Sequence, residues 1–145
     1  MRQGIQTNFK HETLRKFGCY FFVLLRMAEI QRNRLLKSVV KTNEFEFSDE
    51  TIIELYNHCE KHGWVEGNSF IVNPVAILNY CQGTTTYTTV AHSAKQPDME
   101  MFPIYLKKPA TGHFVLGDKT GIIWDSWEPS AESQGFPVNS YRILN

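Results

Sequence analysis

The sequence predicts an α+β fold in which an N-terminal central helix packs on a C-terminal antiparallel sheet. Three observations carry this expectation. The run CYFFVLLRMAEI is apolar on nearly every face, strand-type residues gather only after Thr84, and helical and strand patterns do not alternate. A chain of 145 residues is long enough to bury one substantial core, so a single domain spanning 1–145 is expected.

The first helix is expected over 19–37, apolar through Ile30 and then polar and basic from Gln31 to Lys37. A helix apolar all round belongs in the middle of a domain. The second begins at Ser48, an N-cap followed by Asp49 and Glu50. It carries Ile52, Leu55, Tyr56 and Cys59 on one stripe and stops at Gly63, as a surface helix would. A third, shorter helix starts at Asn73-Pro74, cap and first-turn proline in the favoured order, and ends near Gly83.

Strands are expected in TTTYTTVAHSA, MEMFPIYLKK, GHFVLG, GIIWDSW and NSYRILN, which are rich in Thr, Tyr, Val, Ile and Phe. Loops are expected around Pro97-Asp98 and from Glu128 to Pro137, the second long enough to border a site. Asp118-Lys119-Thr120 is a turn-forming run between two apolar arms, so a hairpin is expected there. A register centred on Lys119 sets His113 opposite Asp125 on one face. A one-residue bulge would instead separate the two.

Fifteen basic and fifteen acidic residues cancel. Arg26, Arg32, Arg34 and Lys37 give only one helix a basic end, too little for a phosphate-tracking groove, so nucleic acid is not an expected partner. The first eighteen residues lack the apolar core of a secretory signal, and the apolar run that follows is too short to span a membrane. Three cysteines, at 19, 59 and 81, are an odd count without metal-type spacing, which suits a reducing compartment and a cytoplasmic location.

Cys19, His113 and Asp125 together read as a thiol nucleophile, its base and the group that orients the base. A thiol at a helix N-terminus meets unpaired N–H groups and a dipole that favours an anion, so its pKa is expected to fall. Each residue also has a plain reading: a small buried hydrophobe, an exposed strand histidine and a strand-ending turn residue. His58 and His62 share a helix face at metal-ligand spacing, but no third ligand is evident and Cys59 belongs to the apolar stripe. Trp64, Trp124 and Trp127 either belong to the core, the safer expectation, or wall a groove.

The pieces Gly18-Cys19-Tyr20-Phe21, Gly112-His113-Phe114-Val115, Ile123-Trp124-Asp125-Ser126-Trp127 and the closing Ser140-Tyr141-Arg142-Ile143 stand in an order that resembles papain-like cysteine peptidases. The resemblance is to the bacterial and phage branch similar to the double-glycine-leader, bacteriocin-processing peptidases. It implies a papain-like fold and a cysteine peptidase or amidase acting on a peptide, isopeptide or cell-wall amide bond, with a peptide or protein as substrate and no metal or organic cofactor. It also implies an oxyanion-holding glutamine upstream of the cysteine. The nearest one here is Gln6, with Asn8 as a second candidate, both farther from Cys19 than the common spacing, and Tyr20 stands where a glycine or tryptophan is more usual. The rival expectation is a catalytically silent papain-like domain, phage-encoded and directed at a host component as a binding or inhibitory module.

Overall fold

Seven strands and four α-helices form in the computed structural model, which describes residues 1–39 and 44–145, side chains 37–39 excepted. The helices are α1 (Glu12–Phe17), α2 (Cys19–Val39), α3 (Asp49–Lys61) and α4 (Pro74–Gln82). The strands are β1 (Val65–Glu66), β2 (Phe70–Ile71), β3 (Val90–Ser93), β4 (Phe102–Leu106), β5 (His113–Asp118), β6 (Gly121–Trp124) and β7 (Val138–Leu144). The last five form one antiparallel sheet in the order β3-β7-β4-β5-β6, with helices packed against it. Lys37, part of the expected basic helix end, has a side chain outside the described ones.

Capping chemistry sets the helix starts. The Ser48 hydroxyl accepts from Thr51 N–H at 3.2 Å to open α3, and Asn73 Oδ1 accepts from Ala76 N–H at 3.0 Å to open α4. Gly83 ends α4 in the left-handed conformation, φ 74°. The start of α2 is built differently. Gly18 donates its N–H to Leu14 O, closing α1, and its own carbonyl accepts from Phe22 N–H, opening α2, both at 2.9 Å. A Cβ at Gly18 would lie 2.6 Å from Leu14 O, so only glycine lets two helices meet this tightly.

Three features depart from expectation. α1 and a 3-10 turn at Ile5–Asn8 precede the central helix, the first helix expected from the sequence. The β1–β2 hairpin falls among the helices, so strands are not confined to the second half. In the TTTYTTVAHSA segment only Val90–Ser93 is strand.

The core has two parts, one on each face of the sheet. Phe21 to Leu25, Met27 and Ala28 of α2 join Leu116, Trp124 and Leu144 of the sheet in the larger cluster. Phe102, Ile104, Leu106, Val115 and Ala131 form the second, on the face away from α2. Inside the larger one, Glu29 is fully buried and satisfied: Oε1 accepts from the Met1 ammonium at 2.6 Å and Oε2 from Phe47 N–H at 2.8 Å. The sheet therefore holds the N-terminal half of α2 and fixes where Cys19, its first residue, meets β5.

Candidate active site

Cys19 is buried, 9% exposed, and its Sγ accepts a hydrogen bond from Phe114 N–H at 3.4 Å. That bond ties the N-terminus of α2 to the residue next to His113. Around it Tyr20 stacks on Phe114, ring centroids 4.0 Å apart, so the residues following Cys19 and His113 clamp the two elements together. Gly112 matters here for space: a Cβ there would collide with the Tyr105 ring, which packs against the backbone leading into His113.

His113 is completely buried, and its Nε2 lies 2.7 Å from Asp125 Oδ1. The Asp125 carboxylate is itself held from both sides. Oδ1 accepts from Trp127 N–H at 2.9 Å and Oδ2 from Ala131 N–H at 2.8 Å. A carboxylate only accepts, so Nε2 carries a proton, and in the neutral imidazole Nδ1 presents a lone pair. That Nδ1 is buried without a hydrogen-bond partner. The loop expected to border a site does so through Ala131.

The His113–Asp125 pair arises by a different register from the one expected. Asp118 pairs with Gly121, so the turn holds only Lys119 and Thr120, one residue off a register centred on Lys119. A bulge then leaves Ile123 unpaired, because Gly117 faces Ile122 while Leu116 faces Trp124. Each slip alone would put the two side chains on opposite faces; together they restore the parity. His113 and Asp125 become diagonal neighbours, and the same register carries Trp127 opposite His113. The indole stacks on the imidazole at 3.6 Å between centroids. Trp127 is thus half-buried over the His113–Asp125 pair, packed against the second core cluster and lining a cavity, whereas Trp124 is a core residue as expected.

The thiol's electrostatics reverse the expected direction. Burial pushes the Cys19 thiol up to about 11, outweighing the N–H groups of Phe114, Tyr20 and Cys19 itself, which favour the anion; the Asp125 charge adds to the rise. The helix N-terminus contributes, but one turn of N–H donors does not offset the loss of solvent. Burial also raises Cys59, to about 12, and Cys81.

Gln6 sits elsewhere. It is 1% exposed, donates from Nε2 to Arg15 O at 3.1 Å and accepts at Oε1 from the Ser126 hydroxyl at 2.7 Å. Its backbone N–H also bonds Ser126 O at 2.9 Å. Gln6 therefore fastens α1 to the segment that follows Asp125, and its amide does not line the cavity beside the thiol. Gln3 plays a matching part, accepting from Asp125 N–H through Oε1 at 2.8 Å.

Cys19, Tyr20, Phe114 and Trp127 open onto a cavity of about 650 Å³. The β1–β2 turn forms its far wall, with Asn68 and Ser69 both at positive φ, 59° and 56°. Ser69 is held in this uncommon conformation by a hydrogen bond from its hydroxyl to Tyr56 Oη at 3.1 Å. Arg142 of β7 enters from the side, over the Phe114 and Tyr105 rings at 5.4 and 5.6 Å.

Comparison with known families decides the membership. A family model described as DUF261, protein of unknown function, matches residues 2–145, nearly the whole chain. The chain belongs to the DUF261 family. No curated protein and no solved structure matches it. In this DUF261 chain the site residues come from four segments: the start of α2, the start of β5, the turn after β6 and the loop through Ala131.

The remaining sequence candidates of the DUF261 chain lie apart from this site. His58 of α3 and His62, the residue that caps its C-terminus, have rings 4.4 Å apart, within an aromatic cluster that includes Trp64 and Tyr80. No group of three His, Cys, Asp or Glu residues able to hold a metal ion occurs among the described residues. Cys59 and Cys81 are buried in the core, and all three cysteines are unpaired thiols. Among the described residues no helix is long and apolar enough to cross a membrane. Arg142 of the cavity lining went unread as a site residue.

Proposed function

We propose that this protein is a papain-like thiol hydrolase, a cysteine peptidase or amidase working through Cys19, His113 and Asp125. The observation that carries the reading is the imidazole of His113. Its Nε2–H is spent on Asp125, and its Nδ1 is a buried acceptor with no partner, on the residue whose neighbour binds Cys19 Sγ. An unsatisfied buried acceptor costs about 1–3 kcal/mol. Cys19 Sγ, which bonds Phe114 N–H and not the imidazole, would have to approach Nδ1 to remove that cost and begin the chemistry.

In this reading the resting pair is neutral, thiol and imidazole, in keeping with the raised Cys19 thiol. On substrate binding the thiol proton passes to His113 Nδ1 while Sγ bonds to the carbonyl carbon. The carbonyl oxygen takes the electron pair and the Cys19 N–H supports it. Collapse breaks the C–N bond, and His113 returns the proton from Nδ1 to the departing amine. Water then adds to the thioester, giving its proton to Nδ1, and Cys19 leaves as the thiol. Asp125 keeps the imidazole in one tautomer and stabilises its charged form. Trp127 shields the Nε2–H to carboxylate bond from water, which strengthens it.

One observation favours the second reading, a silent binding module. Gln6 spends its amide on Arg15 and Ser126, so a side-chain donor for the oxyanion is not supplied by that residue. Turnover of a fluorogenic peptide and amide panel decides between the two readings. The hydrolase reading predicts release of product and a transient mass increase on Cys19, both abolished in Cys19→Ala. A panel left intact, with no acyl adduct in the wild type, contradicts it.

A further inference from the structure

Resting on the hydrolase reading, we infer that the cavity beside Cys19 takes a substrate carrying a carboxylate next to a bulky apolar group, with Arg142 binding the carboxylate. The cavity has two contrasting parts. Phe17, Phe70, Val72 and Val90 line it and are unusually exposed for large apolar residues, from 36 to 66%. Apolar side chains gathered around one opening form a surface for apolar substrate groups.

Its charged lining is of one sign. Lys16 and Arg142 line the cavity, and no Asp or Glu does. Lys16 is already paired, with Glu12 at 2.7 Å. Arg142 is not. Among the described residues its hydrogen bonds are from Nη1 to Ser140 Oγ at 2.6 Å and to Tyr141 O at 3.5 Å, and no carboxylate meets it. His92 stands directly opposite it across the β3–β7 ladder and supplies no negative charge. A half-buried guanidinium resting on two aromatic faces, with donors to spare, suits a bidentate carboxylate. Arg142 reaches the thiol through a short stack: it lies over Phe114, whose N–H binds Cys19 Sγ. A carboxylate on Arg142 therefore sits beside the reacting bond.

The test compares anionic iodoacetate with neutral iodoacetamide at Cys19, by mass spectrometry, in the wild type, Arg142→Gln and Arg142→Lys. The inference predicts that the iodoacetate to iodoacetamide rate ratio falls by about fivefold in Arg142→Gln, the scale expected for one nearby charge at a protein surface. Arg142→Lys restores most of it. An unchanged ratio in a folded Arg142→Gln protein overturns the inference, and Arg142→Lys behaving as Arg142→Gln overturns the role of charge. Matched peptides separate the sources of the carboxylate: Glu against Gln for a side chain, free acid against amide for a chain end. A preference for either acid in KM, lost in Arg142→Gln, supports the inference; equal use of acid and neutral peptides contradicts it. Failure of the hydrolase reading itself looks different: no peptide of the panel is then cleaved and no acyl adduct forms on Cys19, whatever the labelling ratio.

Discussion

Asp125 accepts from two backbone amides and one imidazole with its two oxygens, and each bond constrains what can replace it. Asn in its place turns one oxygen into an NH2 donor facing either the Ala131 N–H or the His113 and Trp127 donors. Asp125→Asn is expected to lower stability by about 1–3 kcal/mol, the cost of one unsatisfied buried group, and to cut kcat by at least about 100-fold through the lost tautomer. Chemical denaturation and peptide turnover measure the two effects. A variant with wild-type kcat contradicts the orienting role. The His113–Asp125 contact was legible because two polar residues interrupt apolar strands there, and they do meet at 2.7 Å. The thiol's electrostatics were not, because burial is a property of the whole fold: Cys19 lies under Phe114 and Tyr20, and solvent loss outweighs the local helix terminus.

At the scale of elements, α3 and α4 were legible from their caps, since Ser48, Asn73 and Gly83 each act through local backbone geometry, and α2 from its apolar run. The hairpin was legible in outline and not in register. Nothing local in Asp118-Lys119-Thr120 distinguishes a two-residue turn plus a bulge at Ile123 from the symmetric alternative, and Trp127 owes its place over His113 to that choice. α1 escaped notice because six residues give too little periodicity; its signals are His11, whose Nδ1 accepts from Leu14 N–H, and Gly18 at its end. The β1–β2 hairpin escaped because each strand is only two residues long, too short for an alternation to show, although Gly67-Asn68 marks its turn. Gly18 joins α1 to α2, so Gly18→Ala tests whether this junction places the thiol. The added Cβ presses on Leu14 O, with an expected cost of about 1–3 kcal/mol, and Cys19 labelling should slow by several-fold as α2 shifts. Unchanged melting and labelling would show that the junction is tolerant.

For the whole molecule, three buried thiols with raised pKa values make the fold sensitive to alkali. Folded thiols hold their protons to about pH 11 or beyond, whereas unfolded ones release them near 8.5, so above that pH the unfolded state binds fewer protons. Stability is therefore full below about pH 8 and falls as pH rises from there, by up to about 1.4 kcal/mol per unit for each thiol. Urea midpoints between pH 7 and 10 should decline accordingly, and replacing Cys59 with Ala or Val should reduce the slope. A flat profile would mean that the thiols ionise equally in both states. The sheet that buries these groups also holds α2 against β5, and the pairing of Cys19 with His113 is the claim on which the functional account stands. The rate of iodoacetamide labelling at each cysteine, measured from pH 7 to 10 in the wild type and in His113→Ala, tests it most directly. The account predicts that Cys19, the cavity-lining thiol, labels fastest, that its rate climbs with pH toward about 11, and that His113→Ala slows it by about tenfold or more near neutral pH. Equal rates at Cys19 and Cys59, or a Cys19 rate indifferent to His113→Ala, would contradict it.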